Sequence, residues 1–193
     1  LMGGAAEEAE TEFQLIDDQI HRITVIVGKL LQFARPDEYS GAADRYAPAQ
    51  LVDDCLPLLR HTFDKSAIRV RRDHRATLPI RMNRTELQQV IINLIVNAIH
   101  AMPDGGELTL ADADENRNGA PGVALFVTDT GVGMSEAVKA KIFEPFYTTK
   151  KQEGTGLGLS ISQTLIAHND GEISVESAPG HGTRFTVWLP GAP

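Results

Sequence analysis

The sequence predicts an α+β protein in which a sheet of about five strands and about three helices form a two-layer α/β sandwich, preceded by one long helix. Two periodicities indicate this class: a heptad spacing of apolar residues near the start of the chain, and alternating or helical patterns after it. In addition, most of the 17 glycines lie in the second half, several in tight clusters. Such clusters indicate places where the backbone turns sharply or approaches another group closely.

The composition is that of a globular protein and argues against two functional classes. The 193 residues include 18 Lys and Arg and 26 Asp and Glu, which gives a net charge of −8. Such an acidic balance argues against a nucleic-acid binder, which needs a basic face. No apolar run approaches the roughly 20 residues that span a bilayer, so we expect no membrane contact by these residues.

The single cysteine and the start of the chain bear on where the protein works. Cys55 cannot form an internal disulfide, so nothing demands an oxidising compartment and we expect a cytoplasmic location. The chain starts Leu1-Met2 and shows no signal-peptide pattern. We therefore expect a piece of a longer protein, which leaves a membrane anchor upstream open.

The first 36 residues predict one helix, from about residue 7 to residue 35. Its apolar residues are spaced by three and four, and a single helix cannot bury such a seam, so a partner helix is implied. Arg35-Pro36 ends the helix, because a residue before proline avoids helical geometry. The seam residues are Phe13, Ile16, Ile20, Ile23, Val27, Leu30 and Ala34. We expect three segments: part of a helical hairpin over 1–36, a polar linker over 37–45 and the main domain over 46–193.

The main domain is predicted to combine helices with a larger number of strands. The strongest helical pattern covers about residues 84–101 and ends at the turn-forming residues 102–106. Ser135 is a typical N-cap for a short helix. In chain order we expect a helix at about 49–65, strands at 68–74 and 79–83, a helix at 84–101, strands at 107–113 and 123–128, helices at 135–142 and 157–167, and strands at 172–176 and 184–189.

The first of four blocks that could carry chemistry lies on the strong helix. Asn93, Asn97 and His100 are spaced by four and three residues, so they share one helix face. Nearly all of their neighbours are apolar, so these polar groups lie beside a core and need partners. They are either core amides that are satisfied locally or part of a ligand site.

The second block, residues 129–134, directly follows an apolar strand. A carboxylate at a strand end, Asp129, followed by Gly131 and Gly133, suits a ligand that approaches the backbone closely. The alternative is a turn that begins at the aspartate. Taken alone, Gly-x-Gly after a strand is a weak signal.

The third and fourth blocks flank a long irregular segment. The third, residues 143–151, is typical of a hydrophobic anchor before a loop, and its two lysines are compatible with ordinary solvated surface. In the fourth, Gly154, Gly156 and Gly158 open a helix and expose successive N–H groups where the helix dipole adds positive potential, which favours a phosphate. The spacing of the fourth block fits neither a P-loop nor a Rossmann fingerprint.

In this order and spacing, the blocks resemble the ATP-binding domain of sensor histidine kinases, within the gyrase, large-chaperone and mismatch-repair ATPase superfamily. The resemblance covers about residues 46–190, and the spacing Phe-Tyr-Thr-Thr-Lys is similar to that of nitrogen-regulation-type kinases. It implies a Bergerat-type fold with a mixed sheet that binds ATP or ADP and Mg²⁺. The matches are 93–102 to the asparagine box, 129–134 to the first glycine box, 143–150 to the phenylalanine box, 154–160 to the second glycine box and 180–183 to the glycine turn before the last strand.

The resemblance also implies a role for each matched residue. Asp129 would bind the adenine amino group, and Gly131 and Gly133 would let the base and ribose lie close to the chain. Asn97 would ligate Mg²⁺, which keeps waters and bridges phosphates, while residues 144–154 would form a mobile lid. The implied catalytic residues are Asn93, Asn97 and Lys150. The implied nucleotide contacts are Asn97, His100, Asp129, Gly131, Gly133, Met134, Phe143, Phe146, Thr149, Lys150, Gly154, Thr155, Gly156, Leu157, Gly158 and Thr183.

One substitution bears on the type of reaction. Hydrolysing members of the superfamily carry a glutamate four residues before the metal-binding asparagine, and this chain has Asn93 there. An amide cannot take a proton from water, so transfer to a histidine is favoured over hydrolysis. A neutral imidazole needs no deprotonation, and positioning and charge neutralisation suffice.

The N-terminal helix resembles the second helix of the dimerisation and phosphoacceptor hairpin. None of the six histidines lies in the acceptor pattern His-Glu/Asp-x-x-x-Pro, so we expect that the chain cannot phosphorylate itself. The resemblance implies a homodimeric full-length kinase that passes the phosphoryl group to a histidine on the hairpin and then to a response regulator receiver domain. Two alternatives stay open: a serine protein kinase or anti-sigma factor of the same superfamily, and a non-catalytic nucleotide-binding scaffold.

Overall fold

The computed structural model describes residues 42–63, 66–149 and 155–192. The chain divides into two compact units, Leu1–Tyr39 and Ser40–Pro193, and the described residues all belong to the second. The long helix and the hairpin segment expected over 1–36 therefore lie outside the described residues.

A mixed five-stranded sheet forms one layer of the domain. Its strand order is β2-β4-β5-β7-β6, with β2 and β4 parallel and every other neighbouring pair antiparallel. A second, two-stranded sheet joins β1 to β3. The strands are β1 (Asp44–Tyr46), β2 (Ile68–His74), β3 (Ile80–Met82), β4 (Gly106–Arg117), β5 (Ala120–Asp129), β6 (Glu172–Ser177) and β7 (Thr183–Pro190).

Helices form the second layer, which confirms the predicted two-layer α/β sandwich. The helices are α1 (Pro48–Leu58), α2 (Arg60–Phe63), α3 (Arg84–Ala101), α4 (Glu136–Lys139) and α5 (Gly158–His168). The central helix, α3, contacts α1, α5 and strand β5 of the sheet. The core therefore lies between α3 and the middle strands, and the start of β7 lies beside the end of β5, where the segment 130–134 begins.

The bounds of α3 follow from its sequence, and the prediction of a helix over 84–101 is confirmed. Asn83 caps the helix, since its side-chain oxygen accepts hydrogen bonds from the backbone N–H groups of Thr85 at 2.9 Å and Glu86 at 3.2 Å. The helix ends one residue before Met102-Pro103. Its inward face is apolar and closely packed, and Leu87, Val90, Ile91, Leu94 and Ile95 are all fully buried.

Five elements differ from the sequence-based expectation: β4 and β5 are both longer than the strands expected at 107–113 and 123–128, and β1, α1 and α4 differ in other ways. Strand β1 lies partly in the segment expected to be a polar linker, and it pairs with β3 although its own three residues show no apolar alternation. The helix expected at about 49–65 ends at residue 58, after Pro57, and α2 follows as a separate turn. The helix expected at 135–142 is confined to Glu136–Lys139. Strand β1 thus depends on a partner strand distant in sequence, which its own residues do not indicate.

We expect Leu94→Ala to lower the free energy of unfolding by about 2–5 kcal/mol, because Leu94 is 0% exposed in the centre of α3 and its truncation leaves a cavity. Chemical denaturation followed by circular dichroism measures this. The matched control is Leu58→Ala, another helical leucine that is 61% exposed, which should cost less than about 1 kcal/mol. Equal losses in the two variants would contradict the assigned core.

Candidate functional site

The centre of the candidate site is the carboxylate of Asp129 at the end of β5. The residue is 4% exposed. Its Oδ1 accepts two backbone hydrogen bonds, from Gly131 N at 2.8 Å and from Thr183 N at 3.2 Å. Within the described residues, Oδ2 has no recorded hydrogen-bond partner. A buried carboxylate with one satisfied and one open oxygen is suited to accept a hydrogen bond from a ligand.

The environment of Asp129 also changes its acidity. Burial raises the pKa of this carboxyl above its ordinary range, and the hydrogen bonds from Gly131 and Thr183 oppose the shift. The folded chain therefore holds a proton on Asp129 more tightly than the unfolded chain does. The contribution of Asp129 to the free energy of unfolding is fully present below the ordinary carboxyl pKa. It is lost as the pH rises through the raised pKa of Asp129 in the folded chain.

The glycines after Asp129 are required by the packing of the chain on itself. A Cβ at Gly131 would collide with the carbonyl of Ala101, at the end of α3. Gly133 has a φ of +66°, and a Cβ there would collide with the carbonyl of Ala178, which follows β6. The segment 130–134 is therefore held against the end of α3 and the β6–β7 turn, so its glycines have a structural reason besides the approach of a ligand.

Three strands contribute to one row of polar residues at this edge of the sheet. Asp129 on β5 lies opposite Thr183 on β7, and Thr183 lies opposite Ser177 on β6. Ser177 Oγ accepts a hydrogen bond from Met134 N at 2.9 Å and donates one to the carbonyl of Gly182 at 2.8 Å. Ser177 was not among the residues predicted from the sequence. A hydroxyl at the end of a predicted strand, six residues before Thr183, was the available signal.

The two asparagines of the first block, Asn93 and Asn97, lie in different surroundings. Asn93 Nδ2 donates to Ser162 Oγ on α5 at 3.0 Å, and a Cβ at Gly158 would collide with the Asn93 side chain. Asn93 thus joins α3 to α5. Asn97, one turn further, is half-buried, and no hydrogen bond to its side chain is recorded within the described residues. His100 is exposed in the last turn of α3 and has an interaction partner.

The start of α5 adjoins the third block. Phe146 N donates to the carbonyl of Gly156 at 2.9 Å, so the two sides of the irregular segment meet there. Phe146 is 62% exposed, Phe143 is half-buried and Thr149 is exposed. The segment ends where Leu157 is fully buried and α5 begins, with Thr155 Oγ1 accepting from Leu157 N at 3.5 Å.

Two of the predicted site residues, Lys150 and Gly154, lie outside the described residues. The structure brings together a first group on the strand ends, comprising Asp129, Gly131, Gly133, Met134 and Thr183. It brings together a second group where α3, α5 and the third block meet, comprising Asn93, Phe146, Gly156 and Gly158. Asn97 and His100 follow Asn93 along α3.

Comparison with known proteins decides the family. The family described as "Histidine kinase-, DNA gyrase B-, and HSP90-like ATPase" matches residues 82–193, which include all four blocks. The chain belongs to this ATPase family. The resemblance predicted from the four blocks is therefore confirmed, and the fold agrees with that prediction.

The curated relatives of this chain include proteins named as kinases. Sporulation kinase E of Bacillus subtilis (strain 168) is 34% identical over 98% of this chain and 25% of its own length. Sensor histidine kinase ZraS of Escherichia coli O157:H7 is 34% identical over 96% of this chain and 39% of its own length. The chain thus spans about a quarter to two fifths of the curated relatives that it matches.

Solved structures with the same fold include the catalytic domain of histidine kinase ThkA in a nucleotide-free form. It matches with a TM-score of 0.69 and 29% identity, over 78% of this chain and 97% of that one. ThkA in complex with the response regulator protein TrrA matches with a TM-score of 0.71 and 28% identity, over 93% of this chain and 50% of that one.

Two features of the described residues concern membranes and metals. Among residues 42–63, 66–149 and 155–192, no helix has both the length and the apolar character needed to cross a bilayer. In the same ranges, no group of three or more His, Cys, Asp or Glu side chains is arranged to hold a metal ion.

We expect Gly133→Ala to lower the free energy of unfolding by roughly 3 kcal/mol or more, because the new Cβ meets the Ala178 carbonyl and the backbone φ is positive. Urea denaturation measures the loss. Gly119→Ala is the matched control, since Gly119 has a φ of +83° with nothing within 4 Å of the added Cβ, and it should cost about 1–2 kcal/mol. Equal costs would show that the close approach to Ala178 does not constrain the segment.

Proposed function

We propose that this chain is the ATP-binding catalytic part of a sensor histidine kinase, which binds ATP or ADP with Mg²⁺ and transfers the γ-phosphoryl group to a histidine. The observation that carries the proposal is the buried Asp129 carboxylate, with Oδ1 satisfied by the chain and Oδ2 left to accept. The family match and the sensor-kinase relatives support the same conclusion.

The strand-end group would bind the base. Asp129 Oδ2 accepts an N–H from the adenine amino group, and such a hydrogen bond is strong because the acceptor is charged and buried. Gly131, Gly133 and Met134 lie on the segment that follows, whose position against α3 and the β6–β7 turn is fixed by the contacts described above. Thr183, which is 5% exposed, lies next to Asp129 and completes this side.

The second group would bind the phosphates. The N-terminus of α5 at Gly158 presents backbone N–H groups, and the helix dipole adds positive potential there. Lys150, Gly154, Thr155 and Gly156 precede it in the chain. The Asn97 amide oxygen is suited to be a single protein ligand of Mg²⁺, since no hydrogen bond to it is recorded in the described part. Held there by Asn97, Mg²⁺ would supply the positive charge that neutralises the phosphates.

The position of Asn93 favours phosphoryl transfer over hydrolysis. Its amide donates to Ser162 and packs against Gly158, so it holds α5 and the phosphate-binding turn in place. An amide cannot act as a general base for water. A histidine acceptor with a neutral imidazole needs only to be positioned in line with the phosphoryl group.

The partners of the full-length protein follow from this function. The acceptor would lie on a dimerisation hairpin of a homodimeric kinase, and residues 1–36 would be its second helix. A response regulator receiver domain would take the phosphoryl group onward, and the structure of ThkA with TrrA supports that class of partner. We place the catalytic part in the cytoplasm and expect no nucleic-acid partner. This location is compatible with a full-length protein that is anchored in a membrane by a segment upstream.

Asp129→Asn should weaken ADP binding by about 10- to 100-fold, because the charged acceptor for the adenine amino group is lost. Its folding should be unharmed at pH 7, since the amide oxygen can still accept from Gly131 and Thr183 and a buried charge is removed. The thermal midpoint should equal or exceed that of the unmodified chain, and the gap should close as the pH falls through the raised pKa of Asp129.

Isothermal titration calorimetry with ADP and thermal denaturation measure these two effects. Asp104→Asn, at an exposed turn position, is the matched control and should change neither. Unchanged ADP affinity in the Asp129 variant would refute the assignment of the base-binding carboxylate.

The purified chain incubated with radiolabelled Mg-ATP should acquire no acid-labile label, because none of its six histidines lies in the acceptor pattern. Added acceptor hairpin should become labelled slowly, since the tether that raises its effective concentration is missing. Asn97→Ala should reduce that transfer at least about 100-fold through loss of the metal ligand.

The matched control is Asn116→Ala, at an exposed position of β4, which should retain transfer. Acid-labile label on the chain itself would contradict the absence of an acceptor. Acid-stable label on a protein substrate would favour the serine kinase alternative, and ADP binding without any transfer would favour the scaffold.

A further inference from the structure

The side-chain amide of Asn83 makes hydrogen bonds in two directions. Its Oδ1 accepts from the backbone N–H groups of Thr85 and Glu86 and so caps α3. Its Nδ2 donates to the carbonyl of Ala42 at 3.2 Å. Because an amide is a rigid planar group, a rotation that breaks the bond to Ala42 also moves the oxygen that caps the helix. The position of residue 42 and the cap of α3 are therefore linked through one side chain.

Residues 42–46, which we call the strap, run from this contact along β3. Strand β1 is part of the strap and pairs with β3 over three residues. At the other end of the strap, the guanidinium carbon of Arg84 lies 4.8 Å from the centroid of the Tyr46 ring, within the range of a cation–π interaction. Arg84 is the first residue of α3. The strap thus contacts the start of α3 at both of its ends.

Two features oppose the docking of the strap. Arg45 lies directly opposite Arg81 on β3 with both side chains exposed, and like charges at paired positions of antiparallel strands are unfavourable. In the described part of the chain, the Tyr46 hydroxyl is buried without a hydrogen-bond partner, which is also unfavourable. Burial raises the pKa of Tyr46, so the hydroxyl keeps its hydrogen and is a donor without an acceptor. Docking is therefore held by few contacts and is close to balanced against release.

We propose that the strap is a releasable element whose docking holds the cap of α3 in place through Asn83. When the strap is docked, the Asn83 amide is directed at both Ala42 and the helix. When the strap is released, the amide is free to rotate, and the N–H groups of Thr85 and Glu86 lose their acceptor more often. Helix α3 also carries the asparagines of the first block, so a displacement of the chain before residue 42 acts on that helix through a single side chain.

Hydrogen exchange of the whole chain, followed by NMR, measures the two events separately: residues 43–46 report on the strap, and residues 85 and 86 report on the cap. Tyr46→Phe removes the unpaired hydroxyl, and Arg45→Glu places opposite charges across the strand pair. Neither change touches the cap. Each should raise the protection of the strap by about 3- to 10-fold and should also raise the protection of the cap.

Asn83→Asp separates the two contacts, because a carboxylate still accepts from the helix but has no hydrogen to donate to Ala42. The protection of the strap should fall by about 3- to 10-fold while that of the cap is retained. In this background, Arg45→Glu should still protect the strap and should no longer change the protection of the cap.

The matched control is Asn116→Asp, at an exposed position of β4, which should alter neither set of residues. If Tyr46→Phe does not fold, Arg45→Glu makes the same test at an exposed position. Tighter docking of the strap with no change at the cap would overturn the link through Asn83. Undiminished protection of the strap in Asn83→Asp would overturn the contact with Ala42. Neither result bears on the proposed function, since these measurements contain no nucleotide.

Discussion

The buried carboxylate of Asp129 is the constraint on which the site depends. A charge at this depth has to be hydrogen-bonded, and the chain supplies two N–H groups from different elements, one from the segment after β5 and one from β7. That requirement fixes the turn after β5 and the start of β7 relative to each other. The oxygen that remains is the group that a ligand can use, so the same interaction shapes the backbone and defines the chemistry.

A second constraint is the close approach of α3 to the start of α5. Asn93 contacts Ser162 and leaves no room for a side chain at Gly158. The apolar inward face of α3 holds that helix on the sheet, and through Asn93 it also sets the position of the α5 N-terminus. Helix α3 thus positions both groups of candidate site residues, since Ala101 at its end packs against Gly131 and Asn93 contacts the start of α5.

Local signals predicted the elements that local interactions determine. Helix α3 was predicted with its observed bounds because Asn83 caps it and Met102-Pro103 follows it. Strand β1 was not predicted, because three mostly charged residues become a strand only through pairing with β3. Among the site residues, Asp129 was found from its position after an apolar strand. Ser177 was missed because its importance lies in contacts with Met134 and Thr183, which no local pattern of β6 reveals.

The packing of Gly131 and Gly133 against carbonyl groups of the same chain bears on how degenerate relatives should be recognised. A related protein that no longer binds nucleotide would still need both glycines to fold. Selection for stability would therefore preserve the Gly-x-Gly pattern in an inactive kinase. By contrast, the open oxygen of Asp129 and the amide of Asn97 serve no partner recorded in the described chain. Substitution of Asp129 and Asn97, and not substitution of the glycines, is therefore the sequence difference that would distinguish inactive relatives from active ones.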